Sequence, residues 1–556
     1  MSIAEVDLDA ERLGATRPDG AAHGVVFTRR WVVDLILDLA GYTTDRDLAA
    51  LTAVEPACGS GAFLLPMIER LIASCQRHGR GIHEAMGSLV AFDLVPGHVA
   101  AARQAVSDEL LRHSIPQATA TEMATHWVRE GDFILQSHIR PESADFVIGN
   151  PPYVRLEALP EHRLRAYRNR CRTMSGRADL FVGFYEVGLA ALRADGVLAY
   201  ICADRWMRNS YGRALRELVD RNYSVESVTV AHDVDAFEAD VSAYPAITVM
   251  RRAKQGSVVV AEANAAFSED SARELVDWCS RPFDGPISRG GVHATRLDGW
   301  FSGGASWPTG SPERLAVLAD IEERLPLLED VTTGTRLGVG VATGADRLFV
   351  TQDPDLVERS QMLPLAMVRD TRSGEFQWSG NYLVSPWDDH GPVDLAAFPK
   401  LAGYYASHEA NLRRRSVAQR QPVWYRTIDR VNSSLTDAPK LLFADMNSRI
   451  WPVLEAGGHY PHHNLYWLTS SQWDLKVLGG LLLSDIAEMF VSTYCVKMRG
   501  GTLRFQAQYL RRIRVPRYAD ISSEDRAALV EAFDRRCTAA ATAVALRLYG
   551  IDQLPM

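Results

Sequence analysis

The 556-residue sequence predicts an α/β protein whose first half is a parallel, doubly wound sheet. Three observations carry that expectation. Short apolar runs alternate with stretches of helical period from about residue 26 to 250, as βαβ units require. The first run, Leu51-Thr52-Ala53-Val54, leads into the glycine loop Glu55-Pro56-Ala57-Cys58-Gly59-Ser60-Gly61 and then into a helical stretch. The later runs end on acids or on a proline turn, the residue types that line the crevice at the carboxyl ends of such a sheet.

Taken in order, residues 1–23 read as a loosely docked tail, polar and acidic, without the apolar core of a signal peptide. Residues 26–40 have helical spacing and stop near Gly41. Strands are expected at 51–54, 89–92, 145–148, 196–201, 228–230 and 246–250, and helices at 63–73, 97–113, 180–193 and 209–220. Residues 24–255 therefore form one domain. Residues 256–330, rich in Gly, Ser, Trp and Pro, read as a linker or small subdomain. Residues 331–520 mix strands, turns and aromatic loops without βα periodicity and suggest a second, mixed α/β domain. A single amphipathic helix is expected at 523–549, within a terminal segment 521–556.

Composition narrows the class. The chain is 47% hydrophobic and 23% charged, with a formal net charge of −9. It is not a generic polyanion binder, so basic patches must be local. Cysteines 58, 75, 171, 202, 279, 495 and 537 are scattered, odd in number and form no CxxC pair, which fits a reducing bacterial cytoplasm. No apolar run approaches the roughly 20 residues of a membrane helix.

The chemistry sits at four successive strand ends. The glycine loop lets a ligand approach the backbone closely, but Leu64 stands where a dinucleotide fingerprint has its third glycine, and no GK[ST] follows. Asp93 closes the second strand, where an acid commonly accepts bonds from ribose hydroxyls. Asp132 and Phe133 pair an acceptor with an aromatic ring, as an adenine requires. Asn150-Pro151-Pro152-Tyr153 ends the fourth run. Its prolines remove two N–H donors and stiffen the turn. The turn then offers carbonyl oxygens, one side-chain amide and one ring, which suits a planar substrate carrying an amino group.

In that order these motifs resemble the gamma-class N6-adenine DNA methyltransferases of the TaqI/Eco57I-like type. The resemblance is close over 24–250 and looser over 331–520. It implies a Rossmann-like S-adenosylmethionine-dependent sheet followed by a target-recognition domain. Val26-Phe27-Thr28 matches the family's Phe-Thr motif. The resemblance then implies that Thr28, Glu55, Ala57, Gly59 and Gly61 line the methionine end of the cofactor. By the same resemblance Asp93 holds the ribose, and Asp132 and Phe133 hold the adenine. Asn150, Pro151, Pro152 and Tyr153 are implied as the catalytic turn, with Tyr153 and Phe237 stacking on the two faces of a flipped-out base. Thr333 to Gly344 resembles the glycine-rich entry to the recognition domain.

Two stretches run against the acidic average. Residues 411–430 hold six arginines against Asp429, a net +5, and 497–517 hold seven basic residues and no acid. Arg413, Arg414, Arg415, Arg426, Lys497, Arg499 and Arg504, with aromatic neighbours, suit contacts to double-stranded DNA. His459 to Asn464 reads as a loop rather than a metal centre. The expected activity is site-specific methylation of adenine N6, beside a separate restriction endonuclease or a phage-defence system, by a monomer. Only some 23 residues precede the Phe-Thr motif, too few for a fused nuclease. RNA or protein-glutamine methylation, or an inactive DNA-binding relative, are the alternatives.

Overall fold

The computed structural model describes residues 28–554 apart from 136–139, 233, 239–243, 282–283, 309, 496 and 499–501. Val26 and Phe27 of the Phe-Thr motif and Arg499 lie outside the described residues. The chain divides into two compact units, Met1–Leu315 and Ala316–Met556.

The first unit is built on a ten-stranded mixed sheet. Its strands are β1 (Ala53–Glu55), β2 (Leu89–Asp93), β3 (Val128–Glu130), β4 (Ala144–Gly149), β5 (Leu192–Ala203), β6 (Ser224–Val230), β7 (Pro245–Arg251), β8 (Val258–Ala263), β9 (Ile287–Arg289) and β10 (Val292–Leu297). They lie in the order β3-β2-β1-β4-β5-β7-β6-β8-β10-β9. Strands β1 to β5 are parallel. All six residues of β4 are buried, because helices cover both faces of a parallel sheet. These helices include α1 (Arg30–Ala40), α2 (Leu64–His78), α3 (Pro96–Arg112), α4 (Gln117–Trp127), α5 (Glu161–Arg170), α6 (Phe181–Ala191) and α7 (Arg213–Asn222). Strand order reverses between β1 and β4, the point where such sheets bind ligands.

The sheet departs from the expected all-parallel form at β7, which runs antiparallel to both β5 and β6. A parallel return needs a crossover, usually a helix. The connection from β6 to β7 has no helix among its described residues, and Ala231 N–H bonds Pro245 O to close it at its base (3.0 Å). Residues 256–330, expected as a linker or subdomain, hold β8, β9 and β10, which lengthen the same sheet.

The second unit has, among its described residues, a three-stranded sheet of β16 (Met446–Asn447), β21 (Thr502–Arg504) and β20 (Lys497–Met498), and two four-stranded sheets. One joins β11 (Arg336–Val339), β19 (Leu465–Thr469), β15 (Lys440–Ala444) and β17 (Val453–Glu455); the other joins β12 (Val350–Thr351), β14 (Tyr382–Val384), β13 (Met362–Ala366) and β18 (Tyr460–Pro461). A fully buried Lys440–Glu455 ion pair crosses from β15 to β17, and Lys440 also donates to the carbonyls of Thr436 and His459. The single helix expected at 523–549 is two, Ser523–Asp534 and Thr538–Tyr549. Arg536 adopts φ +53 between them, which breaks the helical path. Among the described residues no helix is long and apolar enough to cross a membrane.

Candidate active site

Glu55 is the last residue of β1 and is buried. The glycine loop that follows is held by Cys58 N–H to Phe92 O (2.8 Å) and by Gly59 N–H to the Asp93 carboxylate (2.9 Å). Gly61 sits at φ +106, a conformation in which a Cβ is strained. Nothing lies within 4 Å of where a Cβ of Gly59 would project, so the loop faces open space there. Burial, with Asp93 close by, raises the Glu55 carboxyl well above its usual range. Its Oε2 is buried without a hydrogen-bond partner. An isolated buried carboxyl oxygen beside an open glycine loop fits a ligand that brings a positive N–H group to it.

The two further acids are partly committed. A carboxylate has about four lone-pair sites. Asp93 uses three of them, for Gly59 N–H, Val95 N–H (2.9 Å) and His98 Nδ1 (3.2 Å). Asp132 takes Ile134 N–H (3.0 Å) and Leu135 N–H (3.2 Å) on one oxygen, and the Tyr167 hydroxyl (2.6 Å) on the other. Each acid keeps about one site for a ligand. Phe133 is buried, with the Phe184 ring stacked on it at 5.3 Å, so one of its faces is closed to a ligand.

The Asn-Pro-Pro-Tyr turn starts where β4 ends, beside β1. Gly149 eases that approach, since a Cβ there would crowd the Pro56 ring at 3.1 Å. The Asn150 Nδ2 donates to Thr28 Oγ1 (3.1 Å). With Nδ2 placed at Thr28, Oδ1 is the acceptor end of the amide. Thr28, expected at the methionine end of the cofactor, is thus also a direct partner of the turn. Thr28 pairs with Phe237 in an isolated bridge. The Phe237 ring stands 6.4 Å from Tyr153 at 78°, and Phe181 stands 6.5 Å from it at 82°. Two faces about 7 Å apart and parallel are needed to sandwich a base, so seating one there requires a turn of the Tyr153 or Phe237 ring. The Tyr153 phenol is held neutral by burial.

Three groups gain partners that the sequence did not suggest, the third in the His459 to Asn464 segment expected as a loop. Tyr167 reaches Asp132 from α5. Asp204, just past β5, bonds Arg208 and His232 (2.7 Å), and its N–H takes Tyr244 O (2.9 Å). Asp346 meets His462 (3.1 Å), which meets His463 (3.0 Å). The contacts of Tyr167 with Asp132, of His232 and Tyr244 with Asp204 and of Asp346 with His462 span 28 to 116 residues, which no local pattern encodes.

The arginines of the second unit are largely engaged. Arg415 turns inward, donating to Leu412 O, Thr343 O and Trp424 O, so it staples its loop instead of presenting its fork to solvent. Arg426 lies over Trp387 and Arg504 pairs with Asp445 (2.7 Å). Arg413 pairs with Glu409 (2.6 Å) and packs on Trp424, while Arg414 is exposed. The Lys497 side chain lies outside the described residues.

Comparison with known proteins places this geometry. Residues 103–237 match the family model "Eco57I restriction-modification methylase". The chain is 40% identical over 538 residues to Type II methyltransferase M.XhoI of Xanthomonas vasicola, covering 96% of this chain and 98% of that one. It is 40% identical over 544 residues to Type II methyltransferase M.PaeR7I of Pseudomonas aeruginosa, covering 97% and 93%. Among solved structures, the Type IIL restriction-modification enzyme MmeI aligns at a TM-score of 0.59 and 10% identity, over 100% of this chain and 76% of that one, a likeness of fold. Identity at that level along almost the whole length settles the matter: the chain belongs to the Eco57I-like restriction-modification methylases, which use S-adenosylmethionine.

Proposed function

We propose that this chain moves a methyl group from S-adenosylmethionine to N6 of an adenine flipped out of double-stranded DNA, as the modification part of a restriction-modification system. The observation that carries the reading is the Thr28–Asn150 bond, which leaves the amide oxygen as the acceptor at the end of β4, beside β1. The N6 lone pair is delocalised into the ring and is a poor nucleophile. Accepting its two N–H bonds, at the Asn150 Oδ1 and the Pro151 carbonyl, favours a localised lone pair. Tyr153 and Phe237 supply stacking worth roughly 1–3 kcal/mol per base, which offsets a flipping cost of a few kcal/mol. Glu55 takes the ammonium of the cofactor, Asp93 its ribose and Asp132 its adenine amino group, through the lone pairs each keeps. The cofactor supplies the electrophilic methyl. As the new N–C bond forms and the S–C bond breaks, the nitrogen becomes acidic and releases its proton to water, so the turn needs no general base. The protein acts in the bacterial cytoplasm, as a monomer.

Purified protein given radiolabelled S-adenosylmethionine is expected to label duplex DNA at adenine. Label in RNA or protein and never in DNA, or label on cytosine, overturns the reading. Thr28→Val keeps the shape but removes the acceptor that orients Asn150. It is expected to lower the methylation rate about tenfold, the scale of one hydrogen bond, with DNA affinity little changed. An unchanged single-turnover rate would mean that the amide is oriented by other groups.

A further inference from the structure

Residues 154–180 form a strap that leaves the catalytic turn and returns to it. It opens one residue after Tyr153 and closes one residue before Phe181, whose ring edges Tyr153. Its two ends are zipped by Leu180 N–H to Val154 O (2.7 Å), Leu156 N–H to Ala178 O (3.2 Å) and a bridge from Arg155 to Asp179. The inner side is apolar: Leu156, Leu159, Cys171 and Met174 are buried in the core beneath it. Tyr167, on α5, fixes the middle of the strap to Asp132.

The outer side is different. The strap holds seven arginines and three acids, a net +4 in a chain that averages negative. Only Arg163 of the seven is buried. Arg165 and Arg177 lean on Glu161 and Glu157, and Arg168 on Gly176 O. Arg170 and Arg172 are exposed, and only the backbone of Arg172 meets an acid, its N–H donating to Glu186 (3.0 Å). Like charges gathered this closely repel one another and do not serve the compact state. They are relieved by a polyanion.

We infer that the strap is a phosphate-binding surface, taking the sugar–phosphate backbone beside the flipped nucleotide. This rests on the DNA reading above and assigns that contact to the catalytic unit. The two roots of the strap flank Tyr153, so a nucleotide seated against that ring has the strap beside it. Arginine suits the task because its planar fork meets phosphate oxygens in pairs. Such contacts position the duplex and read no sequence.

The test is the double variant Arg170→Gln, Arg172→Gln in the full chain, with duplex affinity measured from 50 to 300 mM salt. Each lost phosphate contact lowers the salt slope of log K by about 0.9, so a fall of about 1 to 2 is expected, with weaker binding to every duplex sequence alike. Binding of S-adenosylmethionine and the single-turnover rate at saturating DNA should stay within about twofold of wild type, which also reports on folding. If the wild type methylates DNA and the variant keeps the same slope and affinity, the strap assignment is wrong and the DNA reading stands. If the wild type methylates no DNA at all, the reading itself is wrong. A loss confined to particular sequences would make the strap a base reader and overturn its assignment to phosphate.

Discussion

Asn150→Ala is expected to abolish methyl transfer while S-adenosylmethionine still binds. The amide oxygen is the one side-chain carbonyl acceptor of the Asn150–Tyr153 turn, and the amide nitrogen is held at Thr28. Removing a single preorganised polar contact to a reacting centre typically costs about 10²–10³ in rate. Here the loss falls on the atom that must become the nucleophile, so the upper end of that range or beyond is expected. Glu55 and Asp93, the proposed partners of the cofactor, lie on other strands and are untouched. Single-turnover methylation of duplex DNA, beside cofactor binding by calorimetry, measures both halves. Retained transfer would show that a different turn holds the substrate, and loss of cofactor binding would show that Asn150 is part of the cofactor site.

Asp204→Asn is expected to cost about 3–5 kcal/mol of stability, because Arg208 is buried and loses the carboxylate that balances its charge. The same carboxylate bonds His232, and the Asp204 backbone N–H donates to Tyr244 O, so Asp204 holds both ends of the β6–β7 connection that carries Phe237. Burial pushes the Asp204 carboxyl up, but Arg208 and His232 outweigh burial and bring it to about 2. The unfolded value is about 3.9. A carboxyl lowered on folding stabilises the protein fully above the unfolded value and loses that contribution as pH falls through the folded one. The lowered carboxyl thus contributes about 2 kcal/mol above pH 4, which fades toward pH 2. Urea unfolding of both proteins checks this. The gap between wild type and variant should be full at pH 6 and should narrow below pH 4. A gap of less than about 1 kcal/mol at pH 6 would mean that Arg208 does not depend on Asp204.

How much of the site was legible follows from how local each feature is. Helical spacing ended α1 at Gly41, and the run Phe146–Ile148 marked β4, because burial patterns are written in consecutive residues. The glycine loop, Asp93, Asp132 and Asn150 were legible because each terminates a strand. The direction of β7 was not: apolar runs look alike whichever way they pair, and only the pairing with β5 and β6 decides it. The two arginine-rich stretches of the second unit promised contacts to DNA, yet Arg415 and Arg504 are spent on neighbours that lie far off in sequence. The strap of 154–180 carries as many arginines in plain view, but its place on the rim of the catalytic turn depends on how its ends pair.

By itself the sequence determined that a parallel αβ core presents a glycine loop, two acids and an Asn-Pro-Pro-Tyr turn at successive strand ends, since alternation, glycine and proline act over a few residues. Only the tertiary structure decided that Thr28 orients Asn150, that Phe237 reaches Tyr153, and that Tyr167 closes on Asp132. Those contacts bridge 35 to 122 residues for the two hydrogen bonds, and no propensity specifies a partner at that range. They form because the packed sheet brings the loops at neighbouring strand ends together, where buried polar atoms must find one another.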